Sequence, residues 1–153
     1  MYEVSVSRSF VAQHALTVAE AGPEGTLHSH QYTVTATFAG PTLGEHGYLV
    51  DIDDLNDAVD AAVGRFRDQS LNKLESFDGH NPSVEHFSRI FGDRLLESLE
   101  PPTATRLRIS MAEDDIATVR HERALKSGTD SVPTDHEAER HMREQTPMAS
   151  DRS

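Results

Sequence analysis

Residues 28–39 read HSHQYTVTATFA, and apolar side chains alternate with polar ones along this stretch. A period of two residues is typical of a β-strand with one buried face. His28 and His30 share the parity of Tyr32, Val34 and Phe38. We therefore expect both imidazoles at the end of the core-facing row of this strand, not on its solvent side.

The N-terminal segment predicts a partner for this strand. Residues 2–12 also alternate, and the apolar parity comprises Tyr2, Val4, Val6, Phe10 and Ala12. His14 continues that parity, and the Gly- and Pro-containing residues 21–26 read as a loop. If the two strands pair across the loop, His14, His28 and His30 converge at one rim of the sheet.

The middle of the chain changes to a helical period. Residues 53–67 place their apolar side chains on one helical stripe. A second helix is expected to begin near residues 81–83, where Asn81 can cap and Pro82 suits the first helical position. Residues 106–111 and 116–120 then alternate again, which predicts a hairpin.

The order of elements is therefore β-β-α-α-β-β. Hairpins and helices in this order predict an α+β architecture, an antiparallel sheet with two helices on one face. Such a small sheet leaves edge strands that must be hidden. Self-association into an oligomeric barrel would hide them, so we expect a homo-oligomer.

Composition narrows the class of protein. The chain has 153 residues and a formal net charge of −12, which disfavours a general nucleic-acid binder. Its cationic residues are Arg except for Lys73 and Lys126. An acidic, Lys-poor surface indicates adaptation to a salty cytoplasm, as in a halophile, and an ordinary acidic cytosolic protein is the alternative.

The sequence also predicts the cellular compartment of the protein and its domain boundaries. The chain has no Cys, so neither disulfides nor thiolate ligands arise. With no apolar span or signal region either, we expect a cytoplasmic protein without a membrane partner. Residues 1–125 are predicted to form one domain, and the polar, aperiodic residues 126–153 an acidic disordered tail.

The three converging histidines carry the chemistry. Three neutral imidazoles with an open fourth position form a catalytic zinc arrangement. A lone His-x-His in a strand is more often a packing or surface feature, but the shared parity of His14 favours a metal site. The same ligands also suit nickel or iron.

Several motifs in the chain resemble those of the 6-pyruvoyl-tetrahydropterin synthase and 6-carboxytetrahydropterin synthase superfamily. The resemblance covers about residues 2–121. It rests on six matches in the family's order: FVAQH at 10–14, LHSHQY at 27–32, GYLVDIDDL at 47–55, SLN at 70–72, NPSVEH at 81–86, and the late acid Glu113.

The resemblance implies a T-fold that assembles into rings with active sites between subunits. It implies that His14, His28 and His30 bind Zn²⁺ and that Glu113 anchors a pterin ring. A carboxylate suits that role because it can accept two hydrogen bonds from the ring. The implied substrate is a small-molecule pterin triphosphate, 7,8-dihydroneopterin triphosphate.

The chain departs from the family pattern at the proton-transfer residues. Many members carry a catalytic Cys where this chain has Glu24, and members that release 6-hydroxymethyl-dihydropterin have Glu there. Glu24 is thus either a general base or a solvated loop residue. The family's Asp-His relay is replaced by Arg67 and Asp68, which leaves Asp68 as a second candidate proton acceptor.

The sequence is compatible with three functions. The first is a zinc-dependent lyase that makes 6-carboxy-5,6,7,8-tetrahydropterin, en route to a deazaguanine tRNA base, or 6-pyruvoyl-tetrahydropterin. The second is retro-aldol release of 6-hydroxymethyl-dihydropterin, motivated by Glu24. The third is a paralogue that keeps the fold and the metal but has lost this chemistry.

Overall fold

The computed structural model describes residues 1–126, and its elements follow the predicted order β-β-α-α-β-β. The strands and α-helices are β1 (Tyr2–His14), β2 (His28–Gly40), α1 (Ile52–Phe66), α2 (Val84–Ser98), β3 (Arg106–Glu113) and β4 (Ala117–Ala124). Short 3₁₀ turns lie at Gly22–Gly25, Leu71–Lys73 and Glu75–Phe77. Residues 127–153, which make up nearly all of the predicted tail, lie outside the described residues.

The four strands form one antiparallel sheet in the order β1-β2-β3-β4. In the β1–β2 register, His14 lies opposite His28 and Ala12 opposite His30. In the β2–β3 register, Tyr32 lies opposite Glu113. Register alone therefore brings the two histidine-bearing strand ends and the end of β3 to the same rim of the sheet.

The core lies between the even-numbered face of β1 and β2 and the two helices, as the alternation predicts. Phe10, Tyr32, Val34 and Phe38 are all buried on this face. Phe87 of α2 is the centre of an aromatic cluster, with ring centroids 5.1 Å from Tyr32 and 5.9 Å from Phe10. Because buried aromatic rings interdigitate with little free space, this cluster gives the rim above it a rigid floor.

The beginning of α2 differs from the sequence prediction. The N-cap is Ser83, whose Oγ accepts a hydrogen bond from the backbone N of His86 at 3.1 Å. Asn81 does not cap because its side chain is engaged elsewhere, with Oδ1 accepting from the backbone N of Thr17 at 2.8 Å. The turn before α2 therefore serves the region around His14 as well as the helix.

The outer edge of β1 is contacted at its C-terminal end by the segment after α1. The backbone N of Asp68 donates to the carbonyl of Val11 at 2.7 Å, and the backbone N of Gln13 donates to that of Gln69 at 2.9 Å. These bonds tie the loop after α1 to the strand that ends at His14. In the part of the chain from 1 to 126, no helix is long and apolar enough to cross a membrane.

Candidate functional site

Three histidines meet where β1 ends and β2 begins. The ring centroids of His14 and His28 lie 4.6 Å apart, those of His28 and His30 4.7 Å apart, and those of His14 and His30 4.9 Å apart. One nitrogen from each ring lies within 4.8 Å of the other two. The structure thus brings together the three residues that parity placed at this rim.

Each of these rings has its Nδ1 atom fixed by a neighbour. The Nδ1 of His14 bonds to the carbonyl O of Pro82 at 2.8 Å, and the Nδ1 of His28 bonds to that of Thr26 at 2.7 Å. Because a carbonyl can only accept, both Nδ1 atoms carry the hydrogen. The Nδ1 of His30 contacts a carboxylate oxygen of Asp114 in the same way.

The remaining ring nitrogens, the three Nε2 atoms, are buried and converge. Within residues 1–126 none of them has a hydrogen-bond partner. A buried polar atom without a partner is destabilising, so three together indicate a ligand that supplies the missing contacts. Three imidazole nitrogens, each oriented through the other nitrogen of its ring, suit a first-row divalent metal ion such as Zn²⁺.

The shifted pKa values of His14 and Asp114 favour the binding of a cation at this site. Burial is the main reason why the pKa of His14 lies below its ordinary value, and the neighbouring His28 and His30 lower it further. The hydrogen bond from His30 lowers the pKa of Asp114. The imidazole of His14 therefore stays neutral, and the carboxylate of Asp114 stays ionised, to lower pH than usual.

Glu113 lies at the same rim, at the end of β3. Its Oε1 atom lies 3.4 Å from the Nε2 of His30, so the carboxylate points toward the convergent nitrogens. Burial raises the pKa of Glu113, His30 opposes the rise, and the charges of Asp114 and Glu24 add to it. A half-buried carboxylate at the mouth of the site is suitably placed to accept hydrogen bonds from a ligand bound there.

Tyr32 forms the floor of the cluster. Its side chain is fully buried, and its hydroxyl lies 3.4 Å from the Nδ1 of His14. Its ring centroid lies 6.3 Å from that of His14 and 6.0 Å from that of His30. Burial, with the charge of Glu113 as the next cause, raises the pKa of this phenol well above its ordinary value, so it remains a neutral hydroxyl.

The two candidate proton acceptors, Glu24 and Asp68, both lie in exposed loops. Glu24 lies in the exposed 3₁₀ turn Gly22–Gly25, and its negative charge contributes to the pKa values of His14 and Glu113. Asp68 lies after α1, exposed and with a left-handed φ of +59°. Among the hydrogen bonds of residues 1–126, none links the carboxylate of either residue to the histidines.

The sequence reading missed several residues that hold the site together. The periodicity assigns Asp114 no role at the site, although this residue orients His30 from 84 positions away in the sequence. Pro82, read as a helix start, supplies the carbonyl that orients His14. The one signal in the sequence is that two acids, Glu113 and Asp114, lie at the end of β3. The sequence does not give the register of β3 with β2.

Comparison with known proteins identifies the family to which this fold belongs. Residues 3–123 match the family model described as 6-pyruvoyl tetrahydropterin synthase. The Caenorhabditis elegans 6-pyruvoyl tetrahydropterin synthase structure is 18% identical with a TM-score of 0.67, and the alignment covers 80% of this chain and 97% of that one. Among curated proteins, none matches the chain.

A second structure shows the same likeness. It is a Plasmodium vivax 6-pyruvoyltetrahydropterin synthase in which a catalytic glutamate is changed to alanine. It is 15% identical with a TM-score of 0.69, and the alignment covers 81% of this chain and 98% of that chain. The fold is that of a T-fold protein with a three-histidine cluster at one rim of its sheet. The chain belongs to the 6-pyruvoyl tetrahydropterin synthase family.

Proposed function

We propose that the protein is a zinc-dependent lyase that converts 7,8-dihydroneopterin triphosphate to 6-carboxy-5,6,7,8-tetrahydropterin or 6-pyruvoyl-tetrahydropterin. The observation that carries the proposal is the convergence of three buried, unpartnered Nε2 atoms beside the carboxylate of Glu113. Family membership supports the pterin chemistry. The product would enter deazapurine or pterin biosynthesis.

In this proposal His14, His28 and His30 hold the metal ion through their Nε2 atoms. A bound divalent ion acts as a Lewis acid that polarises substrate hydroxyls and acidifies an adjacent C–H. The protein's own contribution is to hold the hydrogen of each imidazole on Nδ1, so that Nε2 faces the metal ion. The carbonyls of Thr26 and Pro82 do this for two rings, and the carboxylate of Asp114 does it for the third.

Glu113 is proposed to anchor the pterin ring. Its carboxylate is half-buried at the mouth of the site, where water competes less for its hydrogen bonds. An ionised carboxylate can accept two parallel N–H donors, which fixes a planar ring in one orientation. That orientation would present the side chain of the substrate to the histidine cluster.

Glu24 is proposed as the general base, with Asp68 as a second acceptor behind it. The charge of Glu24 contributes to raising the pKa values of both His14, at the end of β1, and Glu113, at the end of β3. A glutamate is named as a catalytic residue in the P. vivax protein, which supports a carboxylate in this role. The exposed position of Asp68 suits exchange of protons with solvent.

Glu24 also supports a second candidate function, retro-aldol release of 6-hydroxymethyl-dihydropterin. The two reactions share substrate, metal and anchor, and they differ in which bond of the substrate side chain breaks. A third candidate is a metal- and pterin-binding paralogue without this activity, because Arg67 and Asp68 stand where the family has a relay. Product identity separates all three.

We further propose that residues 1–125 form the catalytic unit and that it works as a homo-oligomer. In the described sheet, β1 and β4 each pair with another strand on one side only, and the loop after α1 bonds to just the C-terminal end of the outer edge of β1. Unpaired backbone groups along such edges favour pairing with another copy. Sedimentation of the purified protein would test the assembly.

The function is tested by incubating the metal-loaded protein with 7,8-dihydroneopterin triphosphate and identifying the products by mass spectrometry. Glu24→Gln should lower kcat by about 10²–10⁴-fold, the usual contribution of a general base. Glu20→Gln is the matched control, because Glu20 is an exposed glutamate in the same loop. It should leave the rate unchanged.

Each product outcome has a distinct meaning. A carboxy- or pyruvoyl-tetrahydropterin product that disappears in Glu24→Gln supports the lyase. 6-Hydroxymethyl-dihydropterin would establish the retro-aldol reaction instead. No turnover from protein that holds a full equivalent of zinc would refute both activities and favour the paralogue.

A further inference from the structure

Two asparagine side chains bind the backbone that follows the first histidine. The side chain of Asn72 makes a double contact with Ala15, as its Oδ1 accepts from the backbone N and its Nδ2 donates to the carbonyl, both at 2.8 Å. The Oδ1 of Asn81 accepts from the backbone N of Thr17 at 2.8 Å. We name residues 15–17 and these two side chains the asparagine brace.

The brace is joined to Glu24. Between its two ends, the backbone N of Leu16 donates to the carbonyl of Glu24 at 2.8 Å. On its other side, residue 15 directly follows the metal-site residue His14. The brace is therefore the covalent and hydrogen-bonded link between the end of β1 and the turn that carries the proposed base.

Few other hydrogen bonds within residues 1–126 hold the turn that carries Glu24: the backbone N of Thr26 donates to the carbonyl of Pro23 at 3.2 Å, and the carbonyl of Thr26 accepts from His28. All four residues of Gly22–Gly25 are exposed, and the turn begins with a glycine at a φ of +64°. Exposed turns with few buried contacts sample many conformations unless hydrogen bonds restrict them. A general base must lie within hydrogen-bond reach of the proton it moves, so this restriction bears directly on rate.

We propose that Asn72 and Asn81 are positioning residues that fix Glu24 relative to the histidine cluster. The inference rests on the proposed role of Glu24 as the base. Neither asparagine side chain contacts the ring of His14, His28 or His30 in the hydrogen bonds of residues 1–126, so they act through the backbone of the brace. Asn72 reaches it from the turn Leu71–Lys73, and Asn81 from the turn before α2.

The contacts predict an unequal response to the same substitution. Asn81 uses only its Oδ1 as an acceptor for Thr17, so Asn81→Asp keeps the contact and Asn81→Ala removes it. Asn72 uses both side-chain atoms, so Asn72→Asp replaces a donor with an oxygen that repels the carbonyl of Ala15. A role limited to filling space would not distinguish Asn81→Asp from Asn72→Asp.

The first measurement is amide hydrogen exchange by NMR on the metal-free protein, which needs no activity. Asn72→Asp and Asn81→Ala should raise exchange at residues 15–17 by about tenfold, the effect of one lost hydrogen bond, and should shift the Glu24 signals. Asn81→Asp should match the wild type. Asn56→Asp is the charge-matched control, because Asn56 lies on α1 and bonds to Arg8.

The second measurement is steady-state kinetics with 7,8-dihydroneopterin triphosphate. In the two disruptive variants kcat should fall by about tenfold or more, with KM within about threefold, because a displaced base affects the chemical step and not binding. Asn81→Asp and Asn56→Asp should retain the wild-type kcat. Circular dichroism confirms that each variant is folded.

The outcomes separate this inference from the proposed function. A wild-type protein without turnover would refute the lyase, and the exchange rates and Glu24 signals would still decide whether the brace holds the turn. Unchanged exchange and Glu24 signals in both disruptive variants would overturn the inference. So would a wild-type kcat in variants whose residues 15–17 exchange faster.

Discussion

The contact between Asp114 and His30 allows a sharp test of the metal site. One carboxylate oxygen of Asp114 contacts the Nδ1 of His30, and the other accepts from the backbone N of Gln31 at 2.8 Å. Both neighbours donate, so both require an acceptor. Asp114→Asn supplies only one oxygen, and whichever way the amide turns, its NH₂ group faces a donor.

The consequence reaches the Nε2 atom of His30, which is proposed to bind the metal ion. If the amide keeps its oxygen on Gln31, the imidazole must place its hydrogen on Nε2, where a metal ion would bind. Loss of such an orienting partner typically lowers metal affinity about 10–100-fold. That range corresponds to about 1.4–2.7 kcal/mol of binding free energy. The imidazole, strand register and core packing stay unchanged.

The assay is competition for Zn²⁺ between the protein and a chromophoric chelator at neutral pH. Asp115→Asn removes the same charge from the next residue, which is exposed, and should change the affinity by less than about threefold because exposed charges are screened. Equal affinities for wild type and Asp114→Asn would refute the reasoning. So would equal losses in the two variants, since that result would indicate a general charge effect.

Two further predictions follow from Glu113 and His121. Glu113→Gln should raise KM by about 10–100-fold through loss of charged hydrogen bonds to the pterin, while Zn²⁺ affinity is retained; a parallel loss of Zn²⁺ would instead make Glu113 a ligand. Burial, and then the charges of Arg123 and Arg89, lower the pKa of His121, so the unfolded chain takes up the proton more readily than the folded one. The contribution of His121 to the free energy of unfolding should therefore be complete above about pH 6.5, the ordinary pKa of histidine. It should be lost as the pH falls toward the lowered pKa. Urea unfolding of His121→Gln should show a flatter decline over that window, and identical pH slopes in the two proteins would contradict the prediction.

The strands and the convergence of the histidines were predictable because they follow from local periodicity. Alternation in residues 2–12 and 28–39 defines which side chains face the core, and parity then assigns His14, His28 and His30 to the same face. Consecutive strands are usually adjacent in space. Only the register remained to be learned, and it places His14 opposite His28.

The contacts that orient the site were not predictable in the same way. Asp114 meets His30 only because β3 pairs with β2 after two intervening helices, and periodicity carries no information about that pairing. The start of α2 was misplaced for a related reason. Asn81 is a good cap by propensity, but its side chain forms a tertiary contact with Thr17, and Ser83 caps instead.

Some residues of the proposed site lie on strands and others lie in loops, and this difference affects which of them can be substituted. The proposed metal ligands lie on β1 and β2, next to the buried aromatic cluster around Phe87. Their geometry is therefore set by the same packing that stabilises the fold. Glu24 and Asp68 stand in exposed loops tied to that framework by a few backbone hydrogen bonds. A loop substitution can therefore exchange the proton acceptor without disturbing the metal site or the core. The resemblance implied by the sequence motifs, which keeps the three histidines and departs at Glu24 and Asp68, agrees with such a division.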